Sequence, residues 1–326
     1  LTRVCWAKNY SGSQGAGTYS FEAGILYSVL LYSFSQHKNS WVTFQYGEDT
    51  GGTITYTTGI PPEFSSTYSE AALASAIAYR TAALSDVEIR TAVALWFSNK
   101  DDAITKYGHI STWNVSQVTN MNNLFEEKTS FNEDISNWDV SSVTNMSLMF
   151  RNAINFNQDI GNWNVKKVTN MYGMFTNAKK FNQKIGNWNV SNVTNMSVMF
   201  KDATNFNQNI GNWNVSKVTN MSNMFKNAQI FNQNIGIWNV SSVTNMSEMF
   251  NIAKNFNQNI GSWDVSSVTN MSEMFRNAKK FNQNLSEWNV ENIKTEPMDF
   301  KKDANSTWTA NSDYQPQWGL SKEQRD

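Results

Sequence analysis

The sequence predicts an α/β solenoid of about eight 25-residue helix-strand repeats, with a helical N-terminal cap and a small β-rich N-terminal module. Three observations predict it. Tryptophan recurs at 113, 138, 163, 188, 213, 238, 263 and 288, always 25 residues apart, and a fixed period of this size marks stacked repeats. Within one period, Met146, Met149, Phe150 and Ala153 fall at the i, i+3, i+4, i+7 spacing of a helix face, with Thr144 placed as N-cap. Phe156, Gln158 and Ile160 then alternate with Asn157 and Asp159, the period of a strand with one buried face.

The elements follow in order. Residues 1–66 share nothing with the repeats and form the β-rich module, an expected assembly or anchoring element. Cys5 reads as a buried or simply unreactive thiol, and Ser11 to Gly17 as a flexible or turn-forming stretch. Ile25 to Phe34 is apolar but about half a membrane span, so a core element is expected there. Trp41 to Tyr46 and Thr53 to Thr57 alternate about a Gly-rich turn, which predicts a hairpin closed off by Pro61-Pro62. Residues 67–105 form the helical cap. Glu70 to Leu84 is alanine-rich, and Ser85-Asp-Val-Glu88 is a capping box opening a helix to about Phe97. Val87, Val93, Leu95, Trp96 and Phe97 supply its apolar surface, and Asp101 to Tyr107 adds a helical turn or two.

Residues 106–303 form the repeat solenoid. Its expected interior is the column Trp138, Trp163, Trp188, Trp213, Trp238 and Trp263 with the column Phe156, Phe181, Phe206, Phe231 and Phe256. One repeat orders too many residues for the apolar surface it buries, so each depends on its neighbours. Asn157 and its equivalents to Asn282 stand in a column where side-chain amides can bond from rung to rung, a structural ladder rather than a sugar surface. The last repeat is worn: Ile293 keeps the Val slot and Phe300 the Phe slot, while Pro297 breaks the rhythm. Residues 304–326 are a polar C-terminal tail carrying Trp308 and Trp318.

Composition removes several function classes. Net charge is −1, which offers no general attraction for nucleic acid. One cysteine and two histidines leave little for a disulfide framework, a metal site or an acid–base pair, and His37 and His109 have no Ser, Cys or carboxylate at an informative spacing. No enzyme activity, catalytic residue, cofactor or metal is expected, and no transmembrane segment. The chain does not begin with Met, which a fragment or removal of a secretory signal would explain. The sequons at Asn9, Asn189 and Asn195 would matter only in a eukaryotic secretory pathway.

The unit FNQxIGNWNVSxVTNMSxMFxNA closely resembles the BspA-like surface-protein repeats, the 25-residue repeats of mycoplasma-type lipoproteins. Ile89 to Phe97 with Tyr107-Gly108 resembles the helical lead-in to such repeats, and the likeness spans roughly 86–300. It implies a leucine-rich-repeat-like solenoid at a cell surface, in adhesion or partner binding, and brings no catalytic residues.

A difference in spacing between strands and helices would curve such a solenoid and make the strand face concave, the usual binding side. The variable column Asp134, Asp159, Lys184, Asn209, Asn234, Asn259 and Asn284 lies there. A second column, Arg151, Thr176, Lys201, Lys226, Asn251 and Arg276, follows each Met-Phe pair. The candidate partner-binding residues are therefore Arg151, Lys201, Lys226, Arg276 and Lys184, with Lys179, Lys180, Lys279 and Lys280 at turns. The expected function is non-catalytic: an extracellular or surface repeat protein that binds a protein or a cell-surface glycan. The alternative is a structural subunit of a filament, appendage or virion, self-associating through residues 1–66.

Overall fold

The computed structural model describes residues 19–20, 53–54, 82–320 and 322–325. The chain divides into two compact units, Leu1–Ala74 and Ser75–Asp326. In the first, β1 (Tyr19–Ser20) pairs antiparallel with β2 (Thr53–Ile54), Tyr19 opposite Ile54. The expected hairpin partner at 41–46 lies outside the described residues, as do Cys5, His37, Ile25 to Phe34 and the alanine-rich helix up to residue 81.

The second unit opens with α1 (Asp86–Ser98) and α2 (Lys100–Tyr107). Ser85 caps α1 reciprocally: its backbone N–H donates to Glu88 Oε2 at 2.9 Å, and its hydroxyl oxygen accepts from the Glu88 N–H at 3.3 Å. Ile89, Ala92, Val93 and Trp96 form the buried face, whereas Val87 is 74% exposed and Leu95 only half-buried, unlike the expected apolar set.

From Trp113 the chain winds as stacked 25-residue coils, and here the expected helix-strand repeat is overturned. The coils contain neither helix nor multi-residue strand. Their only ladder pairs are single parallel bridges along Asn120, Asn145, Asn170, Asn195, Asn220, Asn245 and Asn270. The reason lies in where the backbone N–H groups go. Met146, Leu148, Phe150 and Asn152 donate outward to Asn170, Tyr172, Met174 and Thr176 of the next coil, at 2.7–3.0 Å. The N–H groups of Met149, Arg151 and Ala153 close turns on Met146, Leu148 and Phe150. Leu148 and Asn152 sit at φ 57° and 58°, third in their turns, the left-handed geometry of type II turns that a right-handed helix excludes. Successive four-residue turns bury Met146, Met149, Phe150 and Ala153 together, which reproduces a helical spacing without a helix. Thr144 is no N-cap; its N–H and hydroxyl both donate to Thr119 O, at 2.8 and 3.2 Å.

The expected strand is also absent. Phe156 and Ile160 are buried, but Gln158 is not. Side chains intercept the bonds a ladder would make: Asn157 Oδ1 accepts from the Asn182 N–H at 2.9 Å, and Gln183 Nε2 donates to Asn157 O at 2.9 Å. The Asn column thus exists as a ladder from side chain to backbone. With neither helices nor strands in the coils, the spacing difference invoked to curve the stack has no source.

The interior consists of three aromatic columns. Phe150 and Phe156 stack at 3.9 Å within a coil, and Phe150 meets Phe175 at 5.6 Å across coils. Each Trp of the 25-residue column is at most 4% exposed, and from Trp138 to Trp288 each donates its indole N–H to an Ile carbonyl of the preceding coil, as Trp163 does to Ile135 O at 3.1 Å. The coils approach closely at one glycine column: a Cβ on Gly211 would stand 2.5 Å from Asn234 O.

Both ends of the stack are closed. Every later Thr N–H of its column bonds back to the preceding coil, but Thr119 has no coil before it. Asp86 Oδ1 receives that N–H at 2.7 Å, and its Oδ2 receives the Thr119 hydroxyl. Arg90 donates to the carbonyls of Asn120 and Asn122, which have no donor coil. At the other end the chain has slipped by one residue. Phe300 N–H closes on Pro297 O as Met274 does on Met271 O, and the positive φ angles fall at Asp299 and Asp303. Phe300 therefore fills the Met slot, not the Phe slot as expected. Trp308, fully buried on α3 (Ser306–Ala310), covers the gap edge-on to Phe275 and Phe281 at 5.3 and 4.8 Å. The tail lies back on the last coil: Leu285 N–H donates to Tyr314 O, and Arg325 on α4 (Lys322–Arg325) donates to Ser286 O and Trp288 O.

Candidate functional site

The turns that carry positive φ build one lateral surface of the stack. The first such slot runs Asn123, Leu148, Gly173, Val198, Asn223, Glu248 and Glu273; the second runs Glu127, Asn152, Asn177, Asp202, Asn227, Ile252 and Asn277. The basic column stands between them, which gives each cation a neighbour from the first slot of the next coil. Lys226 pairs with Glu248, and Arg276 with Glu273 at 2.8 Å and with Asp299 at 3.9 Å. Hydrogen bonding and charge from Glu273 hold the Arg276 guanidinium above its ordinary pKa. Asn251, 3% exposed, donates to both Glu248 and Glu273. Arg151 finds Gly173 where an acid would stand and turns back to Glu126 at 2.9 Å and Glu127 at 3.7 Å.

Lys201 differs from these. Among the described residues no carboxylate pairs with it: the first slot holds Val198 in its own coil and Asn223 in the next, and Leu148 and Gly173 in the two coils before carry no acid either. The same substitutions open a depression of about 400 Å³ across three coils, with Arg151 and Lys201 on its flanks. Thr176, with its short side chain, lines it between Arg151 and Lys201, and Gly173 lies buried beside Leu148. A Cβ on Gly173 would lie 2.6 Å from Leu148 Cδ2, so glycine lets the Leu148 side chain lie across the coil. The Thr176 hydroxyl donates to Val198 O at 2.6 Å. Tyr172, 39% exposed, lines the depression with Asn152, Asn177 and Asp202. Asn177 Nδ2 donates to Asn152 Oδ1, and Asp202 Oδ1 accepts from Asn227 Nδ2.

The remaining predicted contacts are dispersed. Lys179, Lys180, Lys184, Lys279 and Lys280 are exposed, and Lys279 Nζ donates to Asp303 O. The column containing Lys184 is structural elsewhere: Asp159, Asn209, Asn234 and Asn259 accept from their own i+2 N–H in Asx turns. Sequence reasoning missed Tyr172, Gly173, Leu148 and Val198. Their signal was departure from the repeat, since Tyr172 stands where other coils have Ser or Asn.

His109, for which no Ser, Cys or carboxylate stands at an informative spacing in the sequence, lies beside Ser111 and Glu133. Its Nδ1 lies 2.8 Å from Ser111 Oγ and its Nε2 lies 3.9 Å from Glu133. Burial lowers its pKa, with Glu133 opposing that shift. The arrangement is a cap, since His109 Nδ1 also accepts the Ser111 N–H at the start of the 3-10 turn Ile110–Thr112, and Lys100 holds Glu133 at 2.6 Å. Among the described residues, no three His, Cys, Asp or Glu side chains gather as a metal site requires, and no helix is long and apolar enough to cross a membrane.

Neither curated proteins nor solved structures yield a match to the chain. One family model matches twice, over residues 92–213 and 195–313, and so covers the chain from within α1 through α3 and every coil between them. The chain therefore belongs to the repeat-containing family described as Mycoplasma protein of unknown function, DUF285.

Proposed function

We propose that this is a non-catalytic, surface-exposed repeat protein that acts by binding a partner, with the depression between Arg151 and Lys201 as its contact site. One observation supports this reading above others. The coils are nearly uniform, yet their departures at Leu148, Tyr172, Thr176 and Val198 line one depression, beside a Lys201 that has no carboxylate partner among the described residues. A stack serving only as a spacer gains nothing from such an opening. The BspA-like character of the repeat adds the expectation of an extracellular or cell-surface setting.

The test is attachment of beads coated with the full chain to cell layers and to extracellular matrix, beside beads carrying Thr176→Arg. Arginine is the column's own residue at 151 and 276, so the variant should fold while filling the depression. Attachment that disappears with T176R supports the proposal. Equal attachment by both proteins rejects the depression as the contact site, and no attachment by either rejects the adhesive role.

A further inference from the structure

We infer that the depression is a saccharide site for acidic sugars, with a pyranose ring against Tyr172 and its carboxylate paired to Lys201; this rests on the interaction role proposed above. Tyr172 is the one aromatic residue in its column, where the other coils carry Ser or Asn, and its ring is partly open to solvent. A half-exposed aromatic ring offers an apolar face to the C–H side of a sugar while keeping its hydroxyl wet. Around it stand planar polar groups that match vicinal hydroxyls. Asn177 Nδ2 spends one bond on Asn152 and has a second N–H; Asp202 has a second carboxylate oxygen beyond the one held by Asn227.

Lys201 supplies the selectivity. Arg151, Lys226 and Arg276 are already compensated by carboxylates, so an incoming anion gains most from Lys201. Other ligand classes fit less well. The site is an open, shallow depression rather than the enclosed apolar pocket that a hydrophobic ligand requires. A nucleic acid needs a stripe of available cations, and most of this column is paired. A phosphate would favour an Arg fork, but Arg151 is engaged by Glu126 and Glu127.

Isothermal titration of the full chain tests this with a galacturonic acid trisaccharide and the neutral galactose trisaccharide of the same linkage. Three variants accompany it, each taking a residue that the same column uses elsewhere: Tyr172→Ser, Lys201→Thr and Thr176→Arg. The acidic sugar should bind at least about tenfold more tightly than the neutral one, and Y172S and K201T should each weaken it by about tenfold or more. T176R should abolish binding although it adds a positive charge. The inference is overturned if the acidic trisaccharide does not bind, if the neutral one binds equally, or if T176R binds as tightly as the unaltered chain. Loss of the sugar result, with bead attachment still abolished by T176R, would remove the saccharide assignment and leave the interaction role standing.

Discussion

Replacing Ile252 by Asn should stabilise the stack, although it removes an apolar side chain. Ile252 occupies the second positive-φ slot at φ 60°, where a β-branched residue is strained by about 1–2 kcal/mol and Asn much less. It also interrupts an amide ladder. Asn177 Nδ2 reaches Asn152 Oδ1 at 2.7 Å, and Asn227 Nδ2 reaches Asp202 Oδ1 at 2.8 Å, but the column has no amide at 252 to continue to Asn277. Restoring it adds about 0.5–1.5 kcal/mol per hydrogen bond. Against this, Ile252 is half-buried and loses roughly half of the 1.5–3 kcal/mol that full burial would bring. The balance is about 1 kcal/mol in favour of Asn, or roughly 2–4 °C in melting temperature for a unit of this size. Thermal and urea unfolding of the full chain measure it, with Asn227→Ile as the opposite change. That control strains a second coil and removes the partners of Asp202 and Gln229, so it should lower the melting temperature. A destabilised I252N, or an unchanged N227I, would refute the account of these turns.

Two further outcomes follow from the closed ends and the coil register. Partial burial pushes the Asp86 carboxyl up, but hydrogen bonds from Thr119 and Asn120 and the charge of Arg90 together hold it below its ordinary value. A depressed folded pKa means that its stabilisation is full above the ordinary carboxylate range and is lost as pH falls through the folded value. Asp86→Asn should therefore cost about 1 kcal/mol at neutral pH and flatten the loss of stability below about pH 4; parallel acid curves for variant and unaltered chain would reject the cap. Deleting residues 194–218 joins Val193 to Thr219 and keeps every coil-to-coil bond in register, so the shortened chain should unfold cooperatively. Deleting 194–217 shifts the following coils by one position and should abolish that transition, as read by tryptophan fluorescence.

The candidate site was half legible. Arg151, Lys201, Lys226 and Arg276 could be read as one column because the 25-residue period places them in line. Their inequality could not be read, since it depends on which acid faces each cation across a coil boundary. Glu248 lies 22 residues beyond Lys226, a separation set by the winding of the coil rather than by any helical or strand period. Asp86 and Arg90 were likewise hidden: their partners Thr119 and Asn122 are more than thirty residues away.

By itself the sequence determined the length of the repeat, the capping box at Ser85 and the residues that enter the interior, because burial of Trp, Phe, Met and Ile follows from their chemistry in any backbone that repeats every 25 residues. Only the tertiary structure decided what backbone that is. A run of apolar residues at i, i+3, i+4 and i+7 serves a helix and a chain of four-residue turns equally well. The choice fell to the N–H groups of alternate residues, which find acceptors in the next coil, and to Asn and Gln side chains that take the bonds a strand would have made. Those partners exist only once the coils are stacked, so no single repeat carries the information.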